Sequence, residues 1–210
     1  TQMELDRRML ENKAKRLQAE LEKLQKQQAT QRRSREKGGV FSVSLVGYTN
    51  AGKSTLFNAL TKAGTYAADQ LFATLDTTSR RVYLPEIGNA VVSDTVGFIR
   101  DLPHQLVEAF RATLDETVRA DLLLHVVDAS SFDREQQMIE VDKVLTEIGA
   151  NETPQLVVVN KIDQVPALME RGPVIRYDRS GKVAAIYISA KEGIGLDLLR
   201  QTLADLARNT

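Results

Sequence analysis

The chain has 210 residues, of which 42% are hydrophobic, so it is long enough for one domain with a buried core and an appended segment. It contains no cysteine, which excludes disulfides and thiolate metal sites, and its apolar runs are too short to span a bilayer. The net charge is zero, yet residues 1–37 hold eleven basic and six acidic side chains, so this segment carries +5 and the remainder −5. A basic segment beside an acidic body favours a polyanionic partner, although a solvated helix with incidental charge has the same composition. No signal-peptide pattern is present, and we expect a cytoplasmic protein.

Residues 1–37 predict one long helix, because they contain no proline or glycine. Apolar side chains recur every seven residues, at Met3, Leu10, Leu17 and Leu24. This spacing is typical of a coiled-coil seam, which a single helix cannot bury alone. No matching seam follows later in the chain, so we expect the partner helix to come from another segment or another chain. Because the pattern already includes Thr1, we expect the chain to be part of a longer protein.

Gly38 and Gly39 predict the end of this helix and a change of pattern. Short apolar strands then alternate with amphipathic helices. The predicted strands are residues 40–47, 80–85, 90–94, 121–129, 155–160 and 183–190, and the predicted helices are 52–62, 103–118, 134–148 and 196–208. This alternation predicts an α/β domain over residues 38–210 with a mainly parallel, doubly wound sheet. A nucleotide would bind at the carboxyl ends of such strands.

The stretch "GYTNAGKST", residues 47–55, matches the phosphate-binding pattern G-x-x-x-x-G-K-[ST] between a predicted strand and a predicted helix. Its backbone N–H groups would surround phosphate oxygens, with the positive end of the helix dipole behind them. Lys53 would contact the β- and γ-phosphates, and the Ser54 hydroxyl would bind Mg²⁺. The remaining predicted contacts come from Gly47, Tyr48, Thr49, Asn50, Ala51 and Gly52.

The stretch "DTVG", Asp94, Thr95, Val96 and Gly97, ends the strand predicted at 90–94. Asp94 is placed to hold Mg²⁺ through water, and the Gly97 N–H to contact a γ-phosphate. Many GTPases have a glutamine after this glycine to orient the attacking water, but here the residue is Phe98. We therefore expect slow intrinsic hydrolysis that depends on Lys53, Gly97 and Mg²⁺.

The stretch "NKID" contains Asn160, Lys161 and Asp163 directly after the strand at 155–160. The Asp163 carboxylate can accept hydrogen bonds from N1–H and N2–H of guanine, whereas adenine would present a lone pair to it. The stretch "SAK" (Ser189, Ala190 and Lys191) follows the next strand and would offer backbone N–H groups to guanine O6. Together these motifs predict a GTP site.

Residues 63–81 show no clear hydrophobic periodicity and contain several threonines. These features are expected of a switch loop that Mg²⁺ and the γ-phosphate order. Spacing alone does not show which threonine binds the metal.

These motifs, in this order, resemble a P-loop GTPase of the translation-factor class. The strings "TQMELDRR", "GYTNAGKSTLFNALT", "FATLDTTSR", "DTVGFIRDLPHQLVEAFRATL" and "HVVDAS" resemble the HflX family of ribosome-associated GTPases, in its bacterial form, over essentially the whole chain. In that family "FATLD" is the switch I signature. The resemblance therefore implies nucleotide contacts from Phe72, Ala73, Thr74, Leu75 and Asp76, with Thr74 as a catalytic residue and Mg²⁺ ligand beside Ser54 and Asp94.

The resemblance also implies the partners. Such a protein binds GTP and GDP, hydrolyses GTP to GDP and phosphate, binds the large ribosomal subunit and its rRNA, and separates ribosomes into subunits until hydrolysis releases it. It implies an N-terminal domain whose last helix pairs with the arm at residues 1–37, and a short domain after Thr210. It implies no DNA partner, no stable membrane insertion, and a monomer at full length.

Several alternatives stay open. The chain could be a nucleotide-gated RNA-binding module, or a GTPase of the same class that serves RNA modification or assembly. Asn50 occupies the position of the phosphate-binding loop at which potassium-activated GTPases, which resemble this chain there, coordinate K⁺ with a side-chain carbonyl. Asn50 would either coordinate K⁺ in this way, as a further catalytic residue, or only form hydrogen bonds within its loop. Arg100 is an arginine-finger candidate or a solvated switch residue. Phe72 and Phe98 are candidate exposed anchors for a partner, and core packing is the alternative for Phe72. His104 and His125 are too isolated for a metal site, and we expect structural roles.

Overall fold

The computed structural model describes Lys13 and residues 39–61, 78–95, 97–98 and 111–209. The chain divides into two units, Thr1–Val40 and Phe41–Thr210. Lys13 has a helical backbone conformation, but the rest of the predicted arm lies outside the described residues, so the coiled-coil seam stays a prediction.

The second unit is built on a seven-stranded sheet in the order β2-β3-β1-β4-β5-β7-β6. The strands are β1 (Ser42–Gly47), β2 (Thr78–Leu84), β3 (Gly88–Asp94), β4 (Leu122–Asp128), β5 (Gln155–Asn160), β6 (Val174–Tyr177) and β7 (Val183–Tyr187). The five inner strands run parallel, whereas β2 pairs with β3, and β6 with β7, in the antiparallel sense. β4 lies beside β1 at the centre, and its first six residues are all buried, as expected of a strand covered on both faces.

Helices follow the strands, as the sequence predicts. They are α1 (Lys53–Thr61), α2 (Arg111–Val118), α3 (Arg134–Glu147), α4 (Pro166–Arg171) and α5 (Leu196–Arg208), with a 3₁₀ turn at Ile162–Gln164. The mainly parallel, doubly wound α/β sheet is thus confirmed. Of the helix predicted at 103–118, the structure describes only residues 111–118. No helix in the described part of the chain is long and apolar enough to cross a bilayer.

Two elements, β6 and α4, were not predicted from the sequence. β6 is a short edge strand whose last two residues, Arg176 and Tyr177, are exposed, so it lacks the apolar run by which buried strands are recognised. α4 buries none of its residues and has proline at its start, a position that proline favours. Neither element contributes enough apolar surface to leave a clear pattern in the sequence.

The core lies on both faces of the sheet, because successive strand residues point to opposite sides. Leu45 packs with Leu56 and Leu203, so α1 and α5 cover one face. The next residue, Val46, belongs to the cluster that contains Leu114 and Val141, so α2 and α3 cover the other face. Burying one such side chain contributes about 1.5–3 kcal/mol. The two layers together fix the positions of the loops at the carboxyl ends of the strands.

His125 lies inside β4 and is 2% exposed, in agreement with a structural role. Burial, reinforced by the charge of Lys53 and opposed by a hydrogen bond with Gln155, lowers the pKa of His125 to about 4. Between the ordinary pKa of 6.5 and this value, the unfolded chain binds a proton here that the folded chain does not. We expect this residue alone to lower the free energy of unfolding by about 2 kcal/mol between pH 7 and pH 5.

Urea unfolding of the unaltered chain and of His125→Gln at both pH values measures this contribution. The variant should lose less stability on acidification. Equal losses in the two proteins would mean that His125 does not carry the acid sensitivity.

Candidate functional site

Four of the predicted motifs meet at the carboxyl edge of the sheet. The loop after β1 leads into α1, the "DTVG" stretch ends β3, "NKID" follows β5, and "SAK" follows β7. Since β1 lies between β3 and β4, with β5 next in order, motifs far apart in sequence become neighbours. The structure therefore brings the candidate phosphate site and the candidate base site to one edge.

The phosphate-binding loop has backbone geometry that depends on glycine. Gly52 has φ +95°, and a Cβ there would lie 2.3 Å from Nδ2 of Asn160. Lys53 begins α1 and is 6% exposed, and its Nζ donates to the carbonyl oxygen of Tyr48 at 3.4 Å. Burial lowers the pKa of Lys53 to about 8, while the nearby Asp94 charge acts in the opposite direction. A buried ammonium of this kind is well placed to bind a polyanion.

Ser54 and Asp94 form a pair suited to a hard cation. The Ser54 hydroxyl donates to Oδ2 of Asp94 at 2.8 Å, across 40 residues of sequence, and Asp94 is 2% exposed. Hydroxyl and carboxylate oxygens are the ligands that Mg²⁺ accepts, with its other positions filled by phosphate and water. Over residues 39–61, 78–95, 97–98 and 111–209, no group of three His, Cys, Asp or Glu side chains could hold a metal without other ligands.

Backbone hydrogen bonds join Phe98, the residue after "DTVG", to the phosphate-binding loop. The Phe98 N–H donates to the carbonyl oxygen of Gly47 at 3.0 Å, and the Thr49 N–H donates to that of Phe98 at 2.5 Å. A Cβ on Gly97 would lie 2.9 Å from Cα of Thr49 and 3.1 Å from Nζ of Lys53, so only glycine fits there. The Thr95 hydroxyl donates to the carbonyl oxygen of Leu45, within β1, at 2.6 Å.

The Phe98 side chain is fully buried in the same cluster as Val46 and Leu114. The alternative in which Phe98 is an exposed anchor for a partner is therefore wrong. We expect Phe98→Gln to lower the free energy of unfolding by about 3 kcal/mol, because it removes an aromatic ring from the core and buries an amide. Phe98→Leu should cost about 1 kcal/mol, since it remains apolar.

Denaturant unfolding of the two variants tests this assignment. Equal stability of the glutamine variant and the unaltered chain would mean that Phe98 turns towards solvent. A glutamine at this position would also be directed into the core rather than towards an attacking water.

At the base end of the site, Asn160 joins two loops. Its Nδ2 donates to the carbonyl oxygen of Ala51 at 3.1 Å, and its Oδ1 accepts from the Ala190 N–H at 2.9 Å. The Ser189 hydroxyl donates to Oδ1 of Asp163 at 2.5 Å, which orients that carboxylate. The "SAK" and "NKID" loops thus form one hydrogen-bonded surface next to the phosphate-binding loop.

Lys161 connects this surface to the phosphate-binding loop directly. It has φ +65°, and its Nζ donates to the carbonyl oxygen of Asn50 at 2.7 Å. Asn50 also has a positive φ, +60°, and is exposed. A second acceptor of the Lys161 ammonium is Oδ2 of Asp128, at 2.8 Å.

Asp128 belongs to the site although its sequence position did not predict it. Burial would raise the pKa of its carboxyl, but hydrogen bonds from Lys161 and Ser130 outweigh burial and lower it. The available signal was an aspartate that ends a strand two residues before a serine, which is typical of a local turn and does not by itself indicate a long-range contact.

Six predicted nucleotide contacts lie outside the described residues: Phe72, Ala73, Thr74, Leu75, Asp76 and Val96. The same holds for Arg100 and His104. The assignment of Thr74 as a Mg²⁺ ligand therefore stays a prediction. Lys191 is described and exposed.

A glycine-rich phosphate loop between β1 and α1, an aspartate at the end of β3 and an N-K-x-D loop after β5 define a P-loop GTPase domain. The family model described as "50S ribosome-binding GTPase" matches residues 42–161. The chain belongs to this family of GTPases.

Curated relatives are similar over almost the whole chain. A GTPase HflX of Escherichia coli (strain K12) is 51% identical over 205 residues, which cover 98% of this chain and 47% of the relative. A GTPase HflX of Caldanaerobacter subterraneus subsp. tengcongensis is 50% identical, with 97% and 45% covered. The resemblance to the HflX family is confirmed, and the chain spans about half the length of the curated relatives it matches.

Solved structures agree on the fold. A GTP-binding protein from Sulfolobus solfataricus, in complex with GDP, has a TM-score of 0.60 and 30% identity, covering 80% of this chain and 53% of that chain.

Proposed function

We propose that this chain binds GTP with Mg²⁺, hydrolyses it to GDP and phosphate, and in the GTP-bound state binds the large ribosomal subunit and splits ribosomes. The observation that carries the proposal is the match of residues 42–161 to 50S ribosome-binding GTPases, together with a nucleotide site assembled from these same residues. In this proposal the protein acts in the cytoplasm, and hydrolysis permits its release from the subunit.

Each end of the nucleotide has its own residues. Lys53 and the backbone N–H groups of the loop bind the β- and γ-phosphates, and Asp163, oriented by Ser189, accepts from guanine N1–H and N2–H. Ser54 and Asp94, the latter through water, would hold Mg²⁺, which would supply positive charge to the phosphates when bound.

The hydrolytic step relies on charge placed around the γ-phosphate. The Lys53 ammonium, itself buried, and the Gly97 N–H stabilise charge that develops on its oxygens. Phe98 is turned into the core, so it does not orient the attacking water. Intrinsic turnover is therefore slow, and the ribosomal subunit completes the catalytic arrangement.

Steady-state GTP hydrolysis by this chain, measured with and without purified large subunits, tests the proposal. We expect low basal turnover and strong stimulation by large but not by small subunits. In sucrose gradients, a non-hydrolysable GTP analogue should retain the protein on large subunits and GDP should not. RNA binding that is independent of nucleotide, with no stimulation of hydrolysis by subunits, would instead favour an RNA-binding module in which hydrolysis is incidental.

Asn50 supports a further element of this proposal, a K⁺ ion beside the phosphates. It is exposed on the phosphate-binding loop, and only its backbone carbonyl accepts from Lys161 in the contact described above. A cation there would stand in for an arginine finger. Hydrolysis should be weakly to moderately faster in KCl than in NaCl, and Asn50→Ala should remove the difference. Equal rates in the two salts would leave Asn50 a role within its loop only.

A further inference from the structure

Asp128, the last residue of β4, accepts hydrogen bonds on both carboxylate oxygens. Oδ1 accepts from the backbone N–H and from the hydroxyl of Ser130, at 2.8 and 2.6 Å. Oδ2 accepts from Nζ of Lys161 at 2.8 Å, and the same Nζ donates to the carbonyl oxygen of Asn50 at 2.7 Å. A continuous series of polar contacts therefore runs from the end of β4, through the "NKID" loop, to the phosphate-binding loop.

We propose that Asp128 is a positioning residue that slows nucleotide release by holding the Lys161 side chain against the phosphate-binding loop. This inference rests on the proposed function, in which the two loops joined by Lys161 bind opposite ends of one guanine nucleotide. Asp128 itself would touch neither the base nor the phosphates, and it acts only through Lys161.

The physical reason is the flexibility of lysine. An ammonium on a four-carbon stem has many rotamers, and a single carbonyl acceptor does not hold it in one of them. In the structure it has two acceptors, and its charge faces a carboxylate that is itself fixed by the Ser130 turn. The side chains of Lys161 and Asp128 are 19% and 17% exposed, so the pair is screened less by salt than a surface ion pair.

The geometry also decides which substitution is informative. Asp128→Asn keeps the size of the side chain and one oxygen for the Ser130 turn. It replaces the oxygen that faces Lys161 by an N–H group, which cannot accept from an ammonium. Hydrogen bonds to charged groups contribute factors of about 10 to 150 in an equilibrium, so release of bound nucleotide should become about 10-fold faster or more.

The chain offers a matched control. Asp178 caps a turn in the same manner, with Oδ1 accepting from the N–H and the hydroxyl of Ser180, both at 2.7 Å. Its turn is exposed and follows the edge strand β6, away from the carboxyl ends of the parallel strands. Asp178→Asn therefore makes the same chemical change with no Lys161 nearby.

The experiment measures dissociation of fluorescent mant-GDP, chased with excess GDP, from the unaltered chain, Asp128→Asn, Lys161→Met, the double variant and Asp178→Asn. Both single variants at the site should release mant-GDP about 10-fold faster or more, and Asp178→Asn should not differ from the unaltered chain. If Asp128 acts through Lys161, the double variant should be no faster than the faster single variant, within about twofold. Selection of guanine over adenine nucleotides should not change in Asp128→Asn, because Asp163 is intact.

Two outcomes would overturn the positioning role alone: unchanged release in Asp128→Asn, or single effects that multiply in the double variant. Thermal unfolding of each variant shows whether it is folded. If Asp128→Asn does not fold, Lys161→Met takes its place, and unchanged release in that variant overturns the inference equally. An unaltered chain that does not bind mant-GDP at all would overturn the proposed function as well.

Discussion

Asp163→Asn should convert the site from guanine to xanthine nucleotides. The carboxylate would accept from two guanine N–H groups, and each such bond to a charged acceptor is worth about 1.5–3 kcal/mol. Losing both should weaken GTP binding by roughly 10²–10⁴-fold. The structure adds an orientation, because the Ser189 hydroxyl already donates to Oδ1. In the variant this contact keeps the amide oxygen towards Ser189 and puts the amide N–H₂ in the place of Oδ2, where the C2 carbonyl of xanthine can accept from it.

Competition of GTP and of XTP against mant-GDP, or mant-XDP for the variant, measures the change. XTP should bind the variant more tightly than the unaltered chain, and GTP the reverse. Asp178→Asn again serves as the control, and it should leave both affinities unchanged. Unchanged GTP affinity in Asp163→Asn would remove this residue from the base site and would contradict the assignment of "NKID" to guanine.

Lys53→Ala should slow hydrolysis by about 10²–10³-fold or more, because it removes the charge placed at the γ-phosphate. The structure also predicts that removing the buried charge of Lys53 stabilises the folded chain in the absence of nucleotide. Burial lowers the pKa of Lys53 from 10.5 to about 8, so the charged lysine is less favourable in the folded chain than in the unfolded chain at pH 7. Lys53→Met, which keeps the apolar stem, should therefore raise the free energy of unfolding without nucleotide by up to about 3 kcal/mol.

Single-turnover hydrolysis and urea unfolding at pH 7 separate the two effects. Lys182→Met, at an exposed position, is the control and should change neither. The gain in stability of Lys53→Met should shrink as the pH rises above 8, since Lys53 then loses its proton in the folded chain. An active Lys53→Ala enzyme would show that the phosphates bind elsewhere.

The motifs at this site were predictable because each is local. The phosphate-binding loop, "DTVG" and "NKID" are short strings in which the backbone and a few side chains act together, so residue type and spacing indicate their chemistry. The parallel sheet followed from the alternation of strands and helices. The strand β6 was not predicted, because its pairing with β7 depends on main-chain bonds that leave little mark on its side chains.

The roles of Asp128 and Phe98 could not be predicted from the sequence, because both depend on contacts between distant segments. The sequence places Asp128 at a strand end, but its partner Lys161 is 33 residues away, and only the adjacency of β4 and β5 brings the two together. Phe98 was expected to be unable to orient water. Its ring packs in the core with residues of α2 and α3 because a β-bridge pairs residues 48 and 98. No local sequence pattern predicts that bridge.

The side-chain amide of Asn160 has a consequence for affinity. Because one planar group binds both the carbonyl oxygen of Ala51 and the N–H of Ala190, the subsites for the base and for the phosphates lie at a preset separation. A ligand that reaches both subsites loses its translational freedom once, and the second contact then forms at a high effective concentration. The binding free energies of guanosine alone and of pyrophosphate alone should therefore sum to much less than the binding free energy of GDP. The Asn160 amide thus favours ligands that carry both the base and the phosphates over ligands that carry only one of them.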